Sequence, residues 1–235
     1  MNIEFYRKYM TAENLMGPNS ARILKELLEK YPVKADKDIE ILDLGCGTGL
    51  TSFVIARETG AKVFASDLWI KAEDNRKRFD EWGVDGQITP VHEDANQLGF
   101  EKEKFDYLFS VDAYHYFGTP KGFFQEKILP FLKDGATALI AVPGMKAEYS
   151  GKSEELLSEW LRDEAYMFKS KTEWKEIIGS HERIESVETF ELDCADLAWN
   201  EWLQTEHEFA KGDLKFYESL IKPYSCFVGI CVKVK

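Results

Sequence analysis

Apolar positions change their period several times along this chain, and each change marks an element. Residues 1–30 carry a helical period: Ile23, Leu24, Leu27, Leu28 and Tyr31 share one face. They follow Gly17-Pro18, and proline suits a first helical position. From residue 39 onward, short apolar runs alternate with helical patterns. Runs at 39–44, 61–66, 87–92, 105–111 and 136–142 predict strands. Between them, 50–59, 70–82 and 120–133 predict helices, with Gly60 and Gly83 at left-handed positions ending the first two. Strand–helix alternation at this spacing predicts an α/β fold with a doubly wound parallel sheet.

After Pro143-Gly144 the alternation is interrupted. Residues 153–168 predict an inserted helix with Ser153 as its cap. Ser170-Lys-Thr-Glu173 is a capping-box pattern opening another helix at 172–178. Residues 183–192 alternate like a strand, 196–221 are helical, and 225–234 predict a final strand.

Length and composition narrow the class. A chain of 235 residues, 44% hydrophobic, builds one sizeable core, and no repeat or linker divides it. The longest apolar runs, such as Ala138-Leu-Ile-Ala-Val142, are strand-sized and too short for a membrane span. The N-terminus has no apolar signal region. Four scattered cysteines (46, 194, 226, 231) read as reduced thiols, so a cytoplasmic location is expected. A net charge of −12 argues against a nucleic-acid partner and favours small molecules, cationic ones among them. No metal is expected: the four histidines stand far apart, and His207-Glu-Phe-Ala-Lys211 lacks the second histidine of a zinc-protease helix. No G-x-S-x-G nucleophile elbow occurs either.

The sharpest local signal is Ile39-Glu-Ile-Leu-Asp-Leu-Gly-Cys-Gly-Thr-Gly-Leu50, an apolar strand running into a glycine-rich turn. Gly45, Gly47 and Gly49 allow positive φ and a close approach of ligand to backbone. A dinucleotide turn, G-x-G-x-x-G, would need glycine at position 50, which is leucine. A phosphate-cradling P-loop would need a following Gly-Lys-Ser/Thr, which is missing.

The run Asp43-Leu-Gly-Cys-Gly-Thr-Gly49 resembles motif I of the class I S-adenosylmethionine (SAM)-dependent methyltransferases. The resemblance implies that Gly45, Cys46, Gly47 and Gly49 wrap the methionine part of SAM. Asp43 would brace the turn by accepting backbone N–H groups while pointing toward the SAM amino group. Asp67, ending Lys62-Val-Phe-Ala-Ser-Asp67, would take both ribose hydroxyls; NAD-binding folds share this element. Leu68, with Trp69, would lie against adenine, core packing being the alternative for both. Ile88-Thr-Pro-Val-His-Glu-Asp-Ala95 resembles the family's third-strand motif. There Asp94 would meet the adenine amino group and the Ala95 N–H a ring nitrogen, with Glu93 as the rival to Asp94.

Phe105-Asp-Tyr-Leu-Phe-Ser-Val-Asp-Ala-Tyr-His-Tyr-Phe117 resembles the fourth strand and the loop after it, patterned FDxVxS…xxHH. Ser110 and Val111 would sit under the methionine moiety. Asp112, Tyr114, His115 and Tyr116 would face the methyl group and the acceptor. The second histidine of the pattern is Tyr116 here. His115 is the leading base candidate, since imidazole is tuned for proton transfer near neutral pH; a structural loop histidine is the equal alternative. Asp112 and Tyr116 complete the catalytic set, and aromatic faces would favour an amine.

The resemblance implies a seven-stranded, mostly parallel, Rossmann-like sheet with a C-terminal antiparallel hairpin. One domain is then expected: a helical lid (1–37), a SAM-binding half (38–145), and substrate-side helices with closing strands (146–235). In the lid, Tyr6, Tyr9, Met10, Met16 and Asn19 read equally as ligand cover or packing. Trp199, Trp202 and Phe209 form a stripe that reads as core before pocket wall, and the acids at 154, 155, 159, 163 and 164 read as a solvated face. The expected activity is transfer of the SAM methyl to a small-molecule acceptor by in-line displacement, releasing S-adenosylhomocysteine. A lipid- or phosphobase-modifying enzyme of the same fold, an NAD-dependent oxidoreductase and a non-catalytic SAM-binding protein are the alternatives. A final strand at a sheet edge would allow a homodimer rather than a monomer.

Overall fold

The computed structural model describes residues 1–34 and 36–235. Its strands are β1 (Glu40–Leu44), β2 (Lys62–Asp67), β3 (Ile88–His92), β4 (Phe105–Val111), β5 (Leu132–Met145), β6 (Ile184–Glu191) and β7 (Ser225–Val234). They pair in the order β3-β2-β1-β4-β5-β7-β6. β1 to β5 are mutually parallel, and β7 runs antiparallel to both β5 and β6. This is the mostly parallel doubly wound sheet expected, closed by a C-terminal hairpin.

The helices are α1 (Ile3–Tyr6), α2 (Ser20–Lys30), α3 (Leu50–Thr59), α4 (Ala72–Glu81), α5 (Ser153–Leu161), α6 (Lys171–Ile178), α7 (Ala195–Leu203), α8 (Glu208–Asp213) and the single turn α9 (Lys222–Tyr224). Strand alternation splits the core between the two faces of the sheet. Ile41 of β1 and Leu139 of β5 serve one cluster; Leu42 and Ile140 serve the other. α3 is apolar nearly all round and therefore needs cover on both sides. The N-terminal segment supplies it: Tyr6 and Tyr9 pack edge-on against Phe53 at 5.6 and 4.7 Å. Each such aromatic contact adds ~1 kcal/mol beyond area burial.

Chain order reverses between β1 and β4: β2 and β3 build outward on one side, β4 and β5 on the other. Open α/β sheets bind ligands at such a switch point, beyond the carboxyl ends of the strands.

Five expected elements differ. The 120–133 helix is instead a π-turn (Phe124–Ile128) followed by a 3-10 turn (Leu129–Phe131), because Pro130 cannot continue a regular ladder. The 70–82 helix starts at Ala72, since the Asp67 side chain holds the preceding residues in a turn. The inserted helix stops at Leu161 and Arg162, at φ +52°, opens a 3-10 stretch to Met167; Ser153 makes no cap bond. Residues 196–221 break into α7, α8 and a π-turn (Tyr217–Ile221), with His207 capping α8. β7 lies inside the sheet, between β5 and β6, so it offers no edge for a homodimer. The capping box of α6 forms as expected from Ser170 and Glu173. Among the described residues, no helix is long and apolar enough to cross a membrane.

Candidate active site

The turn after β1 is held from every side. Gly45 and Cys46 donate to the Ser66 carbonyl of β2 at 2.8 and 3.1 Å. Gly47 donates to Asp67 Oδ2 at 2.8 Å, and its carbonyl accepts from the Asn75 side chain at 2.8 Å. Thr48 Oγ1 donates to the Asn14 carbonyl at 2.6 Å, which fastens the N-terminal segment to the turn. Gly45 and Gly49 have φ of +74° and +84°. A Cβ at Gly45 would stand 2.3 Å from that of Ala113, and one at Gly49 2.5 Å from the Phe79 ring. Both positions therefore demand glycine twice over, by conformation and by space.

Asp67 closes the turn onto β2. Its Oδ1 accepts from the Trp69 and Ile70 N–H groups at 2.7 and 2.8 Å, and its Oδ2 from Gly47. A carboxylate offers about four acceptor sites. One site, on Oδ2, is left for a ligand rather than the two-oxygen clasp expected from sequence.

Asp43 departs further from expectation. Its Oδ2 accepts from the hydroxyls of Thr51 and Ser52, both at 2.6 Å, and from no backbone N–H of the turn. It is fully buried and borders neither cavity described below. Burial pushes its carboxyl up to about 6, against the two hydroxyl donors. It anchors the start of α3 through Oδ2, and its buried Oδ1 has no partner among the described residues.

A cavity of about 400 Å³ opens over the turn. Gly45, Cys46, Gly47, Asp67, Leu68, Asp94, Ala95 and Val111 all border it; Gly49 does not. The Cys46 thiol is buried, and burial raises its pKa, so it stays protonated. Leu68 and Trp69 are exposed on the wall, at 51% and 62%, which removes the core-packing alternative for both. Asp94 Oδ1 accepts from the Asn96 backbone and side chain at 2.9 and 2.8 Å, and these bonds hold its carboxyl below the usual range. Glu93 also borders the cavity, with Oε2 accepting from Gly99 N–H at 3.1 Å.

A second cavity of about 1080 Å³ adjoins the first. Met16, Gly17, Pro18, Asp112 and Tyr116 line both. Asp112 sits at the tip of β4 with φ +58°, a left-handed conformation that aspartate tolerates at a cost of ~1 kcal/mol. Its N–H donates to the Ala141 carbonyl at 2.8 Å. Burial, and then the nearby Asp213 carboxylate, push its carboxyl up to about 8.

The loop after β4 divides its residues between core and cavity. His115 is 4% exposed, lines the second cavity only, and leaves Nδ1 without a partner. Burial lowers its pKa to about 3. Tyr114, expected at the acceptor, instead points into the core against Phe117 and Trp174, with Gly118 beneath its ring. Ser110 is fully buried and borders neither cavity.

Of the N-terminal residues, Met16 borders both cavities, while Tyr6, Tyr9 and Met10 pack elsewhere. Asn19 caps α2 and donates to Glu201 at 2.6 Å. Trp199 and Trp202 are at once core and cavity wall, and Phe209 is 70% exposed at its mouth. Asp163 and Glu164 are solvated as expected and also reach this rim. Sequence reasoning missed Asp213, whose two carboxylate oxygens accept from the indoles of Trp160 and Trp202, each at 2.9 Å.

Residues 41–135 match the family model described as a methyltransferase domain. A sterol 24-C-methyltransferase of Debaryomyces hansenii is 24% identical over 153 residues, covering 64% of this chain and 39% of that relative. Sterol methyltransferase-like 2 of Botryococcus braunii is 31% identical over 98 residues, 40% of this chain and 24% of its own length. The chain thus spans well under half the length of these curated relatives. Among solved structures, geranyl diphosphate C-methyltransferase of Streptomyces coelicolor, with S-adenosylhomocysteine bound, superposes with TM-score 0.70 at 17% identity. That match covers 91% of this chain and 78% of the other. Phosphoethanolamine N-methyltransferase 2 of Haemonchus contortus, with S-adenosylmethionine, gives 0.73 at 21% identity, covering 98% and 56%. At these identities the superpositions speak for a shared fold.

Proposed function

We infer that this chain, a member of the class I S-adenosylmethionine-dependent methyltransferases, binds SAM in the first cavity and methylates a small molecule held in the second. The observation that carries this reading is the shared wall: two cavities of different lining meet at Asp112, Tyr116 and the 16–18 segment. The fit to the cofactor rests on the glycine turn, where Gly45 and Gly47 border the cavity with backbone alone.

In this reading the turn at Gly45, Cys46 and Gly47 holds the methionine part. Asp67 Oδ2 takes one ribose hydroxyl with its remaining acceptor site. Leu68 and Trp69 cover adenine, Asp94 meets its amino group, and the Ala95 N–H a ring nitrogen. Val111 lies under the sulfur side. Gly49 acts through the turn's shape.

SAM supplies a methyl group on a positively charged sulfur, which departs as a neutral thioether and needs no acid. The protein's task is then alignment of the acceptor atom with that methyl. Asp112 and Tyr116 stand where the two ligands would meet. The His115 imidazole, held neutral to about 3, binds a proton too weakly to serve as a base at neutral pH. We assign it an orienting role, through the unpartnered Nδ1, and give proton acceptance to Asp112 or solvent.

The test is formation of S-adenosylhomocysteine from SAM with a panel of amines, phenols and alkenes. Product that appears only when an acceptor is added supports the reading. Tight SAM binding with no product from any class would leave a binding protein and contradict it.

A further inference from the structure

The second cavity has an unusual balance of charge. Two acidic side chains, Asp112 and Asp213, line it, Asp213 near enough to raise the carboxyl of Asp112, and neither has a Lys or Arg ion-pair partner among the described residues. Both indole donors of Trp160 and Trp202 are spent on fixing Asp213, which locks its orientation without cancelling its charge. A third acid, Glu164, adds to the negative field at the Tyr116 hydroxyl. The basic residues on the lining, Arg162, Lys211 and Lys215, are exposed at the rim, and Lys211 is tied to Glu206 at 2.8 Å.

Aromatic rings complete the wall. Phe168, Trp160 and Trp199 form a contiguous edge-to-face series with centroids 5.5 and 5.8 Å apart. Aromatic faces carry negative potential and attract alkylated ammonium groups. His115 opens onto the same space with a buried, unpartnered Nδ1. Burial and the neighbouring acid favour a proton on Asp112, and a monocation between the two side chains favours the ionised form of both.

We propose that the acceptor cavity selects a small organic ammonium, held between Asp112 and Asp213 against the Trp160–Trp199 wall, and discriminates against phosphorylated and neutral ligands. This rests on the reading of the second cavity as the acceptor site. A phosphate or diphosphate group placed there would meet Asp112 and Asp213, with basic side chains only at the exposed rim. An uncharged hydrocarbon would offer neither acidic side chain a partner.

Three of the six tryptophans, Trp160, Trp199 and Trp202, line this cavity, so intrinsic fluorescence reports on it. The protein, saturated with S-adenosylhomocysteine, is titrated with choline, with tetramethylammonium, with 3,3-dimethylbutan-1-ol as the neutral shape-match of choline, and with phosphocholine. Choline and tetramethylammonium are expected to bind saturably at millimolar or lower concentration. The neutral alcohol and phosphocholine are expected at least tenfold weaker. Asp213→Asn and, separately, Asp112→Asn should each weaken choline at least tenfold, with circular dichroism and melting confirming that the variants fold. Equal binding of the neutral alcohol, tighter binding of phosphocholine, or no saturable binding of either cation overturns the proposal. Titration with S-adenosylhomocysteine alone separates the two readings. If it binds and the cations do not, only the acceptor class is wrong; if it fails to bind, the cofactor assignment fails on its own account.

Discussion

Asp112 Oδ2 occupies the space that a side chain at Gly17 would need: a Cβ there would stand 2.6 Å away. The contact joins the N-terminal segment to the tip of β4 at the wall between the two cavities. Gly17→Ala must therefore move either the segment or the carboxylate. Overpacking of this kind costs about 1–3 kcal/mol. We expect weaker binding of ligands in both cavities with only a modest fall in melting temperature. Calorimetric titration together with thermal melts checks this, and unchanged affinity would show that the segment is not part of either wall.

Asp67 is the residue on which the turn and the nucleoside both depend. Asp67→Ala strands the Gly47, Trp69 and Ile70 N–H groups and removes an acceptor from the ribose. An unsatisfied buried donor costs about 1–3 kcal/mol, so affinity for S-adenosylhomocysteine should fall at least tenfold. A variant with wild-type affinity would refute the ribose assignment.

Two carboxyls, Asp43 fully buried and Asp112 partly so, set the pH dependence of stability. Asp43 has a folded value of about 6 and Asp112 of about 8, both above the ordinary aspartate value of about 3.9. Between the unfolded and folded values the native state binds more protons, so stability falls as pH rises. The loss should run from about pH 4 to about pH 6 for Asp43, and on to about pH 8 for Asp112. For the fully buried Asp43 the effect is on the order of 2–3 kcal/mol. Asp43→Asn keeps an acceptor for Thr51 and Ser52 and should remove the lower part of the slope in denaturant melts. A slope unchanged in that variant would contradict the assignment.

His115 should leave no trace in the pH–rate profile. Its value near 3 keeps it neutral throughout the working range. His115→Gln is expected to retain cofactor affinity and to lower turnover without moving any inflection near pH 6.5, the ordinary imidazole value of about 6.5. An inflection there that vanishes in the variant would restore the histidine as a base.

The chain discloses its fold and site unevenly. β1, its glycine turn and α3 were legible because strand alternation, glycine and an apolar helix are all local signals. Asp67 was legible as an acid at a strand tip, yet its backbone partners were not, since they depend on how the turn folds back. Tyr114 and His115 show the limit of periodicity: in a three-residue 3-10 turn, nothing in the sequence says which neighbour enters the core. β7 did carry an unused signal. Cys226-Phe-Val-Gly-Ile-Cys-Val232 is apolar on both faces, as an interior strand requires. Pro130 was likewise a visible break in the 120–133 pattern. Asp213 was invisible, because its bond to Trp160 spans 53 positions.

The most direct measurement is calorimetric titration of the wild-type protein with S-adenosylhomocysteine, with NAD as the parallel ligand. Saturable binding of S-adenosylhomocysteine in the micromolar range, about −8 kcal/mol, with none for NAD, is the predicted result. Binding of NAD alone, or of neither, would contradict the reading of the glycine turn and with it the assignment of both cavities.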